Sequence, residues 1–146
     1  MSRGFLVSDH VADVRVRAWG LGFEEVFSEM SKGMWSVMFG EARIPALDKW
    51  NIEVTGADME DLLVAFLNEQ LALFDMEGLA VADIERIDIR PVKLGPGREG
   101  EEVLLDAAVS GAHVSQVQAR VNLHIKAATF HGLRLTPTEA WITFDV

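Results

Sequence analysis

Two aspartates stand near opposite ends of the chain, each in a setting that usually disfavours aspartate. Asp13 falls inside an alternation of Ala12, Val14, Val16 and Ala18 with Asp13, Arg15 and Arg17. That period of two predicts a half-buried strand over about residues 11–18, and aspartate is depleted in strands. Asp145 closes a second alternation, Ala140, Ile142 and Phe144 against Trp141, Thr143 and Asp145, and the α-carboxylate of Val146 adds a further anion. Carboxylates of this kind would suit a hard cation such as Ca²⁺ or Mg²⁺, with water completing the shell. Pairing of Asp13 with Arg15 or Arg17, or plain solvation of acidic strand ends, accounts for the same residues without a metal. Solvation is the commoner outcome.

Two further groups carry charge or proton-transfer capacity. Lys126 closes the polar side of the longest alternation, Val117, Ala119, Val121, Leu123 and Ile125 against Gln116, Gln118, Arg120, Asn122, His124 and Lys126. It reads as a solvated lysine or as a point charge for a phosphate or a partner's carboxylate. His131 precedes Gly132 and reads equally as a turn residue or a functional one.

Elements must hold these groups. Phe23, Val26, Phe27, Met30, Met34, Val37 and Met38 recur at three- and four-residue steps, which predicts a helix over about 23–39 with its acids near the N-terminus. Ordinary core packing explains its methionines and Trp35 better than a cofactor or peptide groove. Trp50, Ile52 and Val54 form a second strand. Asp58, with Asp61 three residues on, caps a helix over about 59–76, and Gly78 suits its C′ position. The apolar arc of that helix is broad enough to be covered on more than one side. The rest reads as strands: Ile84 to Pro91, Val103 to Val109, Val117 to Ile125, and Ala140 to Asp145, with Gly95–Gly100 as an exposed loop. The order predicts one α+β domain over residues 1–146, strand–helix–strand–helix followed by several strands, as a mainly antiparallel sheet packed with two helices.

Composition narrows the function. The chain has 146 residues, 49% of them hydrophobic, enough for one well-packed core. It has no cysteine, which excludes disulfides, iron–sulfur ligation, thiol catalysis and a thiolate zinc site. The formal charge of -10 disfavours autonomous nucleic-acid binding and favours a basic protein partner or a cation. Motifs for phosphate loops, dinucleotide binding, zinc proteases, nucleophile elbows and EF-hands are absent. The lack of a long apolar run or a leader-like start points to a cytoplasmic protein with no membrane contact.

Taken together, four blocks resemble the archease family. They are Asp9-His10-Val11-Ala12-Asp13-Val14, then Asp58-Met59-Glu60-Asp61-Leu62-Leu63-Val64 with Leu67-Asn68-Glu69 and Leu73-Phe74-Asp75, then Lys126-Ala127-Ala128-Thr129-Phe130-His131-Gly132-Leu133, and the closing Phe144-Asp145-Val146. The resemblance implies an accessory protein of an RtcB-type tRNA-splicing ligase, not itself an enzyme, that promotes metal-dependent guanylylation and multiple turnover. It also implies a divalent cation, usually calcium, with magnesium or manganese as alternatives. Carried over by position, the ligands are Asp13, Asp145 and Val146, and Lys126 is the functional lysine, with His131 a weaker candidate. The sequence departs from the family pattern at Val11, Arg15, Phe130 and His124. Two other readings compete: a general chaperone or adaptor for RNA-modifying enzymes such as a tRNA methyltransferase, and a small metal-dependent hydrolase.

Overall fold

A computed structural model of the protein describes residues 2–9, 13–98 and 100–146. His10, Val11 and Ala12, which include the start of the first predicted strand, lie outside the described residues. Strand β1 (Gly4–Asp9) pairs antiparallel with β2 (Asp13–Trp19), Val7 opposite Val16. No strand is predicted at β1, because its short apolar run shows no clear period; the pairing with β2 supplies what local pattern does not.

Helix α1 (Phe23–Phe39) matches the predicted span, and Met30, Met34 and Met38 are fully buried core residues. Strand β3 (Asp48–Gly56) leads into helix α2 (Met59–Glu77). The Asp58 carboxylate accepts the Asp61 N–H at 2.8 Å, and the Asp61 carboxylate accepts the Ala57 N–H at 2.8 Å. This reciprocal arrangement satisfies donors that the first helical turn leaves open. Gly78 ends α2 in the left-handed conformation. Strands β4 (Leu79–Lys93), β5 (Glu101–His113), β6 (Ala127–Thr136) and β7 (Glu139–Asp145) complete the fold. Pro91 lies inside β4, an edge strand, where a missing N–H is tolerated.

The strands form two antiparallel sheets, in the orders β1-β2-β7-β6 and β3-β5-β4. Helix α1 packs on β1, β2 and β4, and α2 on β3, β4, β5 and β6, so each helix is covered by both sheets. That is why α2 is apolar over so broad an arc. Between the helices, fully buried Gln70 accepts hydrogen bonds from the Ser31 hydroxyl at 2.7 Å and the Trp35 indole N–H at 2.8 Å. The α+β class and the antiparallel pairing agree with the sequence analysis; the division into two sheets is new.

One predicted strand is absent. Residues 117–126 form no strand, although Val117 and Ile125 are buried and Gln118, Arg120, Asn122, His124 and Lys126 are exposed. The alternation describes a segment lying along the core, bent at residues 117–119 and 122–123 and without a ladder partner. Its amides turn elsewhere: the Asn122 N–H donates to the Met38 carbonyl at 2.6 Å, satisfying an acceptor at the end of α1. Lys126 therefore does not end a long strand; it leads into β6, which local pattern does not reveal.

Candidate functional site

The β2–β7 ladder places the two aspartates. Val14, Val16 and Ala18 pair with Phe144, Ile142 and Ala140, and all six are buried against the helices. The alternate residues therefore point to the opposite, outer face. Asp13 and Asp145 are directly paired at the end of this ladder. Side chains opposed in this way have Cβ atoms about 5 Å apart. Val146 follows immediately and is half-buried.

The same corner receives the start of β6. Ala127 is the second partner of Asp145, and the Lys126 N–H donates to the Asp145 carbonyl at 2.8 Å. Exposed Lys126 thus stands beside the aspartate pair. The structure brings together Asp13, Asp145, Val146 and Lys126 from the sequence analysis. His131 sits further along β6, in a bulge where Phe130–Leu133 stand opposite Ile142 between the Thr129–Thr143 and Arg134–Trp141 pairs. Gly132 takes φ +62 there, a conformation that favours glycine. His131 and Phe130 are both exposed.

Like charges placed directly opposite one another destabilise a ladder. Among the described residues, no lysine, arginine or histidine reaches ion-pair distance of Asp13, Asp145 or the terminal carboxylate. Nor do three histidine, aspartate or glutamate side chains converge among them. Among the described residues, the side-chain donors at this corner are the carboxylates of Asp13 and Asp145, with Val146 next in the chain. An all-oxygen set with few protein ligands fits a hard cation that keeps several waters.

The departures from the family pattern have structural places. Arg15 shares the outer face with Asp13 but turns away from it: its guanidinium lies 4.6 Å from the Trp141 ring centroid and donates to the Gly132 carbonyl at 3.1 Å. His124 contacts Asp75 of α2 at 3.0 Å. Phe130 is 55% exposed. Val11 lies outside the described residues.

Sequence reasoning missed Asn68 as a positioning residue. Its side-chain amide donates to the Ala128 carbonyl at 3.1 Å and its side-chain oxygen accepts the Ala128 N–H at 2.8 Å. The side chain acts as a short strand partner on the free edge of β6, fixing the strand two residues after Lys126. The available signal was a polar residue interrupting the apolar stretch of α2. Farther along the outer face, a hydrogen bond from Arg17 at 2.7 Å holds the Glu139 carboxyl below its ordinary value, helped by one from the Trp141 indole. An open groove of about 860 Å³, lined by Phe5, Lys32, Trp35, Arg43 and Val81 among others, contains none of the candidate residues.

The family model described as Archease protein family (MTH1598/TM1083) matches residues 5–146. The protein archease of Thermococcus gammatolerans is 31% identical over 136 residues, covering 92% of this chain and 90% of that protein. The protein archease of Danio rerio is 28% identical over 134 residues, covering 90% of this chain and 76% of that one. The solution structure of Methanobacterium thermoautotrophicum protein 1598 aligns with a TM-score of 0.73 at 24% identity, over 98% of this chain and 99% of the other, which shows a shared fold.

Proposed function

The chain belongs to the archease family, and from that premise we propose that it is an accessory protein, not itself an enzyme, that activates an RtcB-type RNA ligase in tRNA splicing or RNA repair. It would promote metal-dependent guanylylation of the ligase and its return for further turnovers. The observation that supports this reading most is the direct pairing of Asp13 with Asp145, beside Val146 and Lys126.

In this reading Asp13, Asp145 and the Val146 carboxylate hold one divalent cation, calcium or alternatively magnesium or manganese. When bound, the ion supplies positive charge that can neutralise phosphate oxygens. The ladder keeps the two carboxylates side by side without reorganisation. Lys126, exposed and fixed through its backbone to Asp145, presents an ammonium to anionic oxygens of the nucleotide or RNA at the ligase. The net charge of -10 steers the chain toward a basic, RNA-binding enzyme. In this reading the protein works in the cytoplasm, beside such a ligase.

The test is a multiple-turnover ligation assay with the RNA ligase of the same cells. Substoichiometric addition of this protein should raise the number of joined RNA ends per ligase well above one. No gain over ligase alone would contradict the reading, and nucleotide or phosphoester turnover by the isolated chain would favour the hydrolase alternative.

A further inference from the structure

Among the described residues, the outer face of the β1-β2-β7-β6 sheet carries no helix, because both helices pack on its inner face. Its side chains are unusual for so acidic a protein. The Arg17 guanidinium lies 5.1 Å from the Trp19 ring centroid and 5.8 Å from that of Trp141, and Arg15 covers Trp141 at 4.6 Å. Trp19, Arg17, Trp141 and Arg15 thus form one interleaved row. Trp19 lies across Gly4 of β1, so close that any Cβ there would fall 2.5 Å from its ring. Leu6, paired with Arg17, is 51% exposed beside the row. Arg134, paired with Trp141, is exposed on its other flank.

Cations and carboxylates on this face are equal in number but not all paired: Arg15, Arg17 and Arg134 share it with Asp13, Glu139 and Asp145. Glu139 pairs with Arg17 at 2.7 Å and also feels the Arg134 charge. Arg15 and Arg134 have no carboxylate within ion-pair distance among the described residues, and the Arg15 Nε is buried without an acceptor. We infer that this face is a protein-docking surface whose partner offers carboxylates to Arg15 and Arg134 and apolar side chains to Leu6 and Trp19. This rests on the proposed function in one respect: the partner is the activated enzyme, because the face is continuous with the Asp13–Asp145 corner on the same two strands.

The chemistry favours a protein over RNA. Arginine and tryptophan dominate the energetics of protein interfaces, and guanidiniums already laid on indole rings lose little freedom on docking. A single strand of RNA needs free aromatic faces for its bases and several phosphates to neutralise. Here guanidiniums cover the indole faces, two aspartates stand at the end of the row, and the whole chain carries -10.

The experiment measures the affinity of the full chain for its ligase, with and without RNA, for wild type, Arg134→Glu and Leu6→Glu, together with stimulation at saturating chain concentration. Both positions are exposed, and unchanged melting temperatures verify folding. Each variant should bind about tenfold or more weakly, with or without RNA, yet reach wild-type stimulation once saturated. Asp145→Asn should behave in the opposite way, binding normally and failing to stimulate. Wild-type affinity in both surface variants overturns the inference alone. So does a loss seen only when RNA is present, which would make the face an RNA contact, or self-association of the wild type abolished by Arg134→Glu, which would make it an interface between copies. Absence of any binding by the wild type overturns the inference and the proposed function together.

Discussion

Asp13 of β2 and Asp145 of β7 are direct partners in the antiparallel ladder, with both side chains on the face turned away from the core. Residues from opposite ends of the chain thereby form one anionic pair. Lys126 joins it through a backbone hydrogen bond to Asp145. The repulsion built into this pair gives a first expectation. In buffer free of divalent ions, Asp13→Asn or Asp145→Asn should stabilise the fold by about 0.2–1 kcal/mol, seen as a higher melting temperature. A lower melting temperature in both variants would contradict the unneutralised pairing.

The terminal carboxylate has its own test. Appending a few residues after Val146 turns that carboxylate into a peptide carbonyl and removes one anionic donor. The extended protein should fold normally but lose ligase stimulation. Full activity in a C-terminally tagged protein would remove Val146 from the site while leaving the aspartate pair in place.

Asn68 connects the second helix to the site. Its two hydrogen bonds to Ala128 fix the edge strand that begins just after Lys126. Asn68→Leu should cost about 1–3 kcal/mol in stability and speed amide hydrogen exchange along Ala127–Thr129. It should also weaken stimulation, with Asp13 and Asp145 untouched. Unchanged exchange in β6 would show that the strand does not depend on this clasp.

Gln70 makes a purely structural prediction. Gln70→Leu leaves the buried Ser31 hydroxyl and Trp35 indole N–H without their shared acceptor. The expected loss is about 2–4 kcal/mol by urea denaturation. A loss under about 0.5 kcal/mol would mean the two donors find other partners.

The Arg17–Glu139 pair predicts a pH dependence. Its hydrogen bond lowers the Glu139 pKa in the folded state below the ordinary 4.5. A depressed carboxyl pKa contributes stability above the unfolded value and loses it as pH falls through the folded value. Glu139→Gln should therefore be less stable than wild type at pH 7. The difference should shrink below pH 4.5 and vanish once Glu139 is protonated in the folded state. A difference that stays constant down to pH 2.5 would contradict the assignment.

What the sequence made legible follows the range of each interaction. Helices α1 and α2 and the Asp58 cap were readable, because periodicity and capping act over a few residues. The alternation from Val117 to Ile125 correctly gave which side chains pack against the core, though only Val117 and Ile125 are buried; alternation cannot say whether a ladder partner exists, and here none does. Edge strands β1 and β6 escaped because pairing with β2 and β7, rather than local pattern, defines them. At the site, the residue types of Asp13 and Asp145 were suggestive on their own. Their meeting depends on the strand order β1-β2-β7-β6, a property of the whole chain. Arg15 looked from its spacing like a neighbour of Asp13; Trp141 and the Gly132 carbonyl draw it the other way.

We propose that Asp13 and Asp145 form one cation site. Calorimetric titration of Ca²⁺, and separately Mg²⁺, into wild type, Asp13→Asn and Asp145→Asn tests it most directly. Saturable one-to-one binding of at least one ion by the wild type, lost in both variants, is the predicted result. No binding by the wild type, or equal binding by all three proteins, would contradict it.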